Sequence, residues 1–294
     1  MIPRYCFKDD EGQLWFKESL TPSVGNSLRV DNLVYADDSD LQHILLFDND
    51  THGRVLAIDG LVQVSLSDEF VYHEMVTHVP LLAHGAVKSV LVVGGGDGGA
   101  MREILRHPGV ERVVLAEIDG EVIDFSRKWL PEVSKGSFDD ARVEIKIVDG
   151  VDYMKTGEEK FDLIIIDSSD PVGPSAVLFT REFYQSCHGR LAEGGILVTQ
   201  SGLAAIHSDV VEDTSKSFKA IFKHHGFYGI TVPTFSGGVM TLGFATDREA
   251  NIAPAAGAIE ARFEALNIDT QYYTPAVHRG AFALPRYLDR LIQR

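Results

Sequence analysis

The chain has 294 residues, of which 45% are apolar, and its formal net charge is −16 when histidines are counted as neutral. A chain of this length buries enough surface to fold without disulfides or a structural metal. Its two cysteines, Cys6 and Cys187, fit neither a zinc motif nor a disulfide framework. The acidic balance argues against nucleic-acid binding and favours small cations as ligands.

Neither a membrane span nor a secretory signal is predicted. Every apolar run falls short of the roughly 18 residues that a membrane helix needs. The N-terminus is charged and lacks the apolar segment of a signal peptide. We therefore expect a cytoplasmic protein with no nucleic-acid or membrane partner.

The first part of the chain, residues 1–67, is predicted to be an N-terminal β-strand domain. Short apolar-rich stretches predict strands at residues 27–35, 42–47, 54–58 and 61–66. Asp59-Gly60 separates the last two and is a two-residue hairpin signal. In the second arm, Gln63 points away from the face formed by Val62 and Val64. Helical spacing begins at about residue 68.

Residues 68–294 are predicted to form the catalytic domain, in which buried strands alternate with helices. Apolar runs predict strands at residues 90–93, 112–116, 143–148, 163–166 and 196–200. Helices are predicted at residues 100–107, 121–130, 180–191 and 209–225, with only a short turn at 151–155. This alternation is typical of an α/β, Rossmann-like, doubly wound and mostly parallel sheet.

Glycine and acidic residues follow four successive strands. The first strand ends in Gly94, Gly95 and Gly96, the start of a G-x-G-x-x-G turn. The next three end at Glu117, at Asp149-Gly150 and at Asp167. Because ligands of such sheets bind beyond the carboxyl ends of the strands, these residues predict a nucleoside site.

The position of Asp97 inside the glycine turn narrows the choice of nucleoside. Its carboxylate would repel the pyrophosphate of NAD and the carboxylate of S-adenosylmethionine. Decarboxylated S-adenosylmethionine carries only cationic groups at that end, so Asp97 would attract it. Asp167 and Asp170, followed by two prolines, add an acidic loop, and three converging carboxylates favour cationic ligands.

Four segments resemble those of the spermidine synthase family, bacterial branch. They are GLVQVSLSDEFVYHEMVTHVP (60–80), VLVVGGGDGGAMRE (90–103), EID (117–119) and DSSDPVGP (167–174). The similarity extends from about residue 25 to the C-terminal AFALPRYL. It implies a Rossmann-like domain of the S-adenosylmethionine-methyltransferase type, preceded by a small N-terminal β domain.

The resemblance also implies roles for individual residues. It makes Asp167 the proton acceptor, and it places Glu117 on the donor's ribose and Asp149 at the adenine. The positions that match the donor site are Gln42, Gln63, Gly94, Gly95, Gly96, Glu117, Asp149, Gly150 and Pro174. Those that match the polyamine site are Tyr72, His73, Asp97, Asp170, Gln200 and Phe235.

Phe235 departs from the family pattern, which usually has tyrosine there, so the acceptor stays open among putrescine, cadaverine, agmatine and longer polyamines. Three histidines, His207, His224 and His225, are expected on a surface helix, without a role. The pair Tyr272-Tyr273 is expected to serve packing.

The activity implied by the resemblance is aminopropyl transfer from decarboxylated S-adenosylmethionine to putrescine, with release of 5′-methylthioadenosine by in-line displacement. The family implies a co-substrate rather than a cofactor, no metal, and a homodimer or homotetramer. A different amine acceptor, a small-molecule methyltransferase and a non-catalytic nucleoside-binding protein are the alternatives. Comparing the binding of S-adenosylmethionine with that of its decarboxylated form separates the methyltransferase from the aminopropyltransferase.

Overall fold

A computed structural model describes residues 2–39, 41–169 and 173–293, apart from the side chains at positions 173 and 174. These residues pack into two compact units. One lies within Met1–Glu69 and Val232–Gly237, and the other within Phe70–Thr231 and Gly238–Arg294. The domain boundary between residues 67 and 68 stays a prediction.

The first unit contains two small antiparallel sheets. One has the order β1-β2-β3, from Cys6–Lys8, Leu14–Thr21 and Val24–Arg29. The other has the order β4-β5-β6-β7, from Asn32–Asp38, His43–Asn49, Gly53–Ile58 and Leu61–Ser65. Phe16 and Phe47 are fully buried in the core of this unit.

The predicted hairpin at Asp59-Gly60 is confirmed, because β6 and β7 pair through it and both residues have positive φ. A Cβ on Gly60 would lie 2.5 Å from the ring of Tyr5, so a side chain does not fit there. The single strand predicted at residues 27–35 is wrong. The backbone changes sheets between Val30, which donates to Leu14 in β2, and the next residue, which donates to β5.

The second unit is a seven-stranded sheet with helices. Its strands are β8 (Ser89–Gly94), β9 (Arg112–Glu117), β10 (Val143–Ile147), β11 (Phe161–Asp167), β12 (Leu191–Leu203), β13 (His224–Ile230) and β14 (Met240–Thr246). The order is β10-β9-β8-β11-β12-β14-β13, in which β14 runs opposite to the other six strands.

The helices are α1 (Glu69–His84), α2 (Gly99–Leu105), α3 (Gly120–Trp129), α4 (Pro131–Ser134), α5 (Gly150–Thr156), α6 (Arg181–Arg190), α7 (Ser208–Ile221), α8 (Glu249–Ile252), α9 (Ala258–Leu266), α10 (Pro275–Ala281) and α11 (Arg286–Ile292). Two 3₁₀ helices span Ser137–Asp139 and Gly173–Phe179. None of the helices in the described part of the chain has the length and apolar composition of a membrane crossing.

Three sequence-based predictions for this unit are wrong. The turn at 151–155 is the helix α5, which Asp149 caps. The helix predicted to reach residue 225 ends at Ile221, and His224 and His225 lie in β13. Strand β10 is half-exposed at the edge of the sheet rather than covered on both faces.

The predicted Rossmann-like architecture is confirmed. The apolar core lies between the sheet and its helices, with Leu91, Ile164, Phe183 and Phe218 fully buried or nearly so. The five strands from β8 to β12 run parallel, so their carboxyl ends share one edge of the sheet. That edge carries the polar side chains described next.

Candidate active site

The turn after β8 packs directly against the end of β11. Gly94 and Gly95 both have positive φ. A Cβ on Gly94 would lie 2.1 Å from the carbonyl oxygen of Asp167, and one on Gly95 would lie 2.8 Å from the Asp167 Oδ2 atom. Glycine is therefore required at both positions, because any side chain would separate the two strand ends.

Asp97 is held in this turn by two contacts. Its Oδ1 accepts a hydrogen bond of 2.7 Å from the Gly99 amide, and its Oδ2 lies 3.4 Å from Nε2 of His73. The buried His73 ring packs on Gly99, where a Cβ would lie 2.3 Å from it. Burial acts to raise the pKa of Asp97, but His73 and the Gly99 amide outweigh it and hold that pKa below its ordinary value.

Asp167 ends β11 beside Tyr72 of α1. The Tyr72 hydroxyl donates a 2.7 Å hydrogen bond to Asp167 Oδ1. The other oxygen, Oδ2, is buried and has no hydrogen-bond partner among the described residues. Burial and the negative charge of Asp97 raise the pKa of Asp167 to about 6, against the lowering effects of His73 and Tyr72. The Oδ2 atom of Asp167 can therefore accept a hydrogen bond or a proton, and it does so next to the negative charge of Asp97.

Glu117 ends β9 as a buried carboxyl group, 8% exposed. Its Oε1 accepts a 3.0 Å hydrogen bond from the Asp119 amide, and Oε2 lies beside Gly96, where a Cβ would come within 3.0 Å of it. Burial raises the pKa of Glu117 to about 7, helped by the charges of Asp119 and Asp167. The group is therefore ready to ionise when a ligand supplies hydrogen-bond donors.

Asp149 and Gly150 follow β10 and start α5. The Asp149 side chain accepts a 2.7 Å hydrogen bond from Val151 N, which makes it the N-cap of that helix. A Cβ on Gly150 would lie 2.5 Å from Val93 Cγ1, so the helix start packs tightly on β8. The Asp149 side chain is exposed at the carboxyl edge.

Two exposed isoleucines, which the sequence patterns did not predict, lie at the same edge. Ile147 pairs with Glu117 across β10 and β9 and is 58% exposed, while Ile118, next to Glu117, is 45% exposed. Ile147 also approaches Gly120 at the start of α3. Their position could have been predicted from the sequence, because both are large apolar residues next to an acidic residue that ends a strand.

The structure brings together the predicted residues of the second unit at the ends of β8, β9 and β11. Tyr72, His73, Asp97, Asp167 and Glu117 interact as described. Gln200 is buried in β12, where its Oε1 accepts a 3.0 Å hydrogen bond from Gly202 N and shapes the strand end. Its predicted role toward a polyamine stays a prediction.

The contacts described above do not test the other predicted residues. Gln42 precedes β5, Gln63 lies in β7 and Phe235 packs on the core of the first unit. Asp170 lies outside the described residues, and Pro174 is described only by its place in the 3₁₀ helix Gly173–Phe179. The roles that the resemblance gave these residues stay predictions.

Comparison with known proteins covers most of the chain. The model of the spermine/spermidine synthase domain matches residues 69–253, and that of the spermidine synthase tetramerisation domain matches residues 14–65. The polyamine aminopropyltransferase of a Ruegeria species is 46% identical over 95% of this chain and 98% of its own length. The polyamine aminopropyltransferase of Pectobacterium carotovorum subsp. carotovorum is 45% identical over 96% of this chain and 98% of its own length.

Solved structures agree with these sequence matches. A spermidine synthase in complex with the transition-state analogue AdoDATO has a TM-score of 0.91 at 35% identity, over 99% of this chain and 98% of that one. The spermidine synthase of Thermotoga maritima has a TM-score of 0.89 at 36% identity, over 95% of this chain and 94% of that one. The chain belongs to the spermine/spermidine synthase family.

Proposed function

We propose that this chain is a polyamine aminopropyltransferase that converts putrescine and decarboxylated S-adenosylmethionine into spermidine and 5′-methylthioadenosine. The observation that carries the proposal is the Asp97–Asp167 pair. One carboxylate is kept charged, and the other has a raised pKa and a buried oxygen without a partner among the described residues. Such a pair suits an ammonium group next to an amine that loses a proton.

The nucleoside half of the donor fits the carboxyl ends of β9 and β10. The Glu117 carboxylate accepts hydrogen bonds from the two ribose hydroxyls, as acidic residues at this strand end do in related folds. The exposed side chains of Ile118 and Ile147 offer apolar surface to the adenine ring. The Asp149 carboxylate accepts a hydrogen bond from the amino group of the adenine. None of these interactions calls for a phosphate.

Asp97 selects the decarboxylated donor. The amine of its aminopropyl group is cationic and is attracted by the Asp97 carboxylate, whose pKa lies below its ordinary value. S-adenosylmethionine would bring a second carboxylate to the same buried position. Like charges at short distance in a partly buried site disfavour each other strongly, so the unmodified donor binds poorly.

The chemistry is an in-line displacement at the carbon beside the sulfonium. A neutral nitrogen of the diamine attacks, the carbon–sulfur bond breaks, and neutral 5′-methylthioadenosine leaves. Positioning of the two reactants contributes much of the rate enhancement. The nitrogen becomes cationic as the new bond forms, and its proton passes to Asp167.

Asp167 does not deprotonate a resting ammonium group. With a lysine-like pKa for the amine and about 6 for Asp167, the gap is roughly 4 pKa units, or about 6 kcal/mol. The site therefore takes up a neutral amine at the attacking end. Because the nitrogen becomes far more acidic during bond formation, Asp167 accepts its proton at that stage.

The test is a mass-spectrometric product assay. Purified protein is incubated with decarboxylated or ordinary S-adenosylmethionine and with putrescine, cadaverine or agmatine. We expect spermidine and 5′-methylthioadenosine from the decarboxylated donor. Asp167→Asn should lower turnover about 10²- to 10⁴-fold with little change in nucleoside affinity. A methylated amine formed from ordinary S-adenosylmethionine would instead identify a methyltransferase, and product from cadaverine or agmatine alone would replace putrescine as the acceptor.

A further inference from the structure

Glu74 is a buried acidic residue that no role proposed above uses. It lies in α1, two residues after Tyr72, and is 1% exposed. Its carboxylate accepts three backbone hydrogen bonds from a distant segment, residues 271–273. Gln271 N donates to Oε1 at 2.8 Å, and Tyr272 N and Tyr273 N donate to Oε2 at 2.9 and 2.7 Å.

These three bonds compensate the charge of Glu74. A buried carboxylate is costly unless hydrogen-bond donors or a cation balance it. In the described part of the chain, no lysine, arginine or histidine lies within ion-pair distance of Glu74. The anion therefore depends on the amides of residues 271–273, and those amides depend on it. An apolar side chain here would leave these three amides without acceptors, so the carboxylate fixes one particular arrangement.

The segment that holds Glu74 is itself well ordered by local bonds. The Thr270 hydroxyl donates to the Tyr273 carbonyl at 2.7 Å, and the Tyr273 hydroxyl lies 2.8 Å from His278 Nδ1 in α10. The Tyr273 ring also contacts that of His78, one turn after Glu74 in α1, with centroids 5.4 Å apart. Residues 270–278, which we call the C-terminal strap, thus form a stable support for α1.

The same helix turn carries the tyrosine of the candidate active site. Residues two apart in a helix point to different sides, so Glu74 faces the C-terminal strap while Tyr72 reaches Asp167. Tyr72 is the fourth residue of α1, and the first four amides of a helix lack intrahelical partners. Glu74 lies two residues further on, so anchoring it fixes the helix directly behind Tyr72, and with it the 2.7 Å hydrogen bond from the Tyr72 hydroxyl to Asp167.

We infer that Glu74 is a positioning residue for aminopropyl transfer: by binding the C-terminal strap it holds the Tyr72 hydroxyl on Asp167. The inference rests on the proposed function only for the role of Asp167 as proton acceptor. Glu74 acts through Tyr72 and does not touch the reacting atoms. The C-terminal strap thereby becomes part of what sets the basicity of Asp167.

The main variant is Glu74→Gln, which keeps the shape but turns one acceptor oxygen into an NH₂ group facing backbone amides. The Tyr72 hydrogen bond lowers the pKa of Asp167, so its loss should raise that pKa. We expect the acidic limb of the pH profile of kcat to move to higher pH. Turnover at its optimum should fall about 10- to 100-fold, as for a misplaced reacting group. The affinity for 5′-methylthioadenosine should stay unchanged.

A double-mutant cycle separates positioning from general stability. Tyr72→Phe should give the same shift of the acidic limb, and the double variant should add little to either single one. Ser215→Ala is the matched control, because it removes a partly buried 2.8 Å hydrogen bond from α7 to the Ile292 carbonyl. It should lower the unfolding temperature and leave the pH profile in place.

Titration of Asp167 by ¹³C NMR gives a readout that needs no activity. Its pKa should rise in Glu74→Gln as it does in Tyr72→Phe. An unchanged Asp167 pKa in folded Glu74→Gln, or additive effects in the cycle, would overturn the inference. If Glu74→Gln does not fold, Glu74→Asp, which keeps the charge but shortens the reach, undergoes the same titration. A wild type without aminopropyl transfer would remove the proposed function, while the titration would still decide the role of Glu74.

Discussion

Three carboxyl groups at one sheet edge differ in their proton affinity. Asp97 is held below its ordinary pKa by His73 and a backbone amide, despite its burial. Asp167 and Glu117 have pKa values raised to about 6 and about 7, mainly by burial. One group therefore stays charged and attracts a cation, while the other two can change protonation when a ligand binds.

The raised pKa of Glu117 predicts a pH-dependent nucleoside affinity. Ribose hydroxyls donate to the ionised form, so binding requires loss of a proton from a group whose pKa is about 7. The ionised fraction rises about tenfold between pH 6 and 8, and the Kd of 5′-methylthioadenosine should fall by about the same factor. Titration calorimetry at both pH values measures it. Glu117→Gln should bind more weakly and without this dependence; if the dependence persists, another group titrates.

Asp97→Asn should produce two effects. It should weaken the decarboxylated donor much more than 5′-methylthioadenosine, because only the donor carries the aminopropyl ammonium. It should also lower the pKa of Asp167, since the Asp97 charge raises it, and extend the acidic limb of kcat to lower pH. Parallel calorimetry and pH–rate profiles test both. Equal losses of affinity for the two nucleosides would make Asp97 a structural residue.

The helix α5 is stabilised at both ends. Asp149 caps its N-terminus, and the buried Arg190 guanidinium donates to the Tyr153 carbonyl in its last turn at 2.7 Å. The same group donates to the Glu159 carbonyl and lies over the rings of Tyr153 and Phe161. This arginine therefore joins α6 to the end of the helix that begins at the predicted adenine site.

Arg190→Lys should lower the free energy of unfolding by about 1 to 3 kcal/mol, because an ammonium group cannot make these bonds in the same planar arrangement. Chemical denaturation measures the change. Arg112→Lys is the control: its side chain is 38% exposed and pairs with Glu144 and Glu159, so its loss should cost less than about 1 kcal/mol. Similar losses in both variants would contradict a special role for Arg190.

The loop that carries Phe235 is fixed within the first unit. Asp68 Oδ2 accepts 2.6 Å hydrogen bonds from both the amide and the hydroxyl of Thr234, and the Phe235 ring packs on the apolar core of this unit. The aromatic position is thus held by its neighbours rather than by its own polar group. Exchanging Phe235 for tyrosine should leave the loop in place.

Phe235→Tyr should favour putrescine over cadaverine. A hydroxyl offers an amine a hydrogen bond of about 1.5 to 3 kcal/mol, against about 0.5 to 2 kcal/mol for the ring face alone. We expect kcat/KM for putrescine to rise by up to about tenfold and that for cadaverine to change less. Steady-state kinetics with both diamines decides. No change in their ratio would show that another part of the chain sets acceptor choice.

The first unit is predicted to mediate assembly of several chains. Residues 14–65 match a tetramerisation domain, and this unit exposes large apolar side chains, among them Val24 at 43% and Leu33 at 40%. Light scattering should therefore give a dimer or tetramer of the 32.3 kDa chain. Val24→Lys with Leu33→Lys should reduce the mass, whereas Tyr287→Lys in α11, also exposed, should not. A wild-type monomer would contradict the prediction.

Local sequence patterns are enough to predict the sheet and most of its functional edge. Strands of parallel sheets are buried apolar runs, and their ends meet at one edge, so local patterns were enough to bring Gly94, Asp97, Glu117 and Asp167 together. The hairpin at Asp59-Gly60 was equally local, because two positive φ angles suit that dipeptide.

The contacts between distant residues that complete the site and support it follow from tertiary packing. Tyr72 and Asp167 are 95 residues apart, and no periodicity predicts their hydrogen bond. Glu74 meets the C-terminal strap, residues 270–278, across a still longer separation, and His224 and His225, predicted as the end of a helix, lie in β13 and pair with β14. Such contacts depend on which surfaces the packed elements bring together, whereas local spacing reports only which face of an element is apolar.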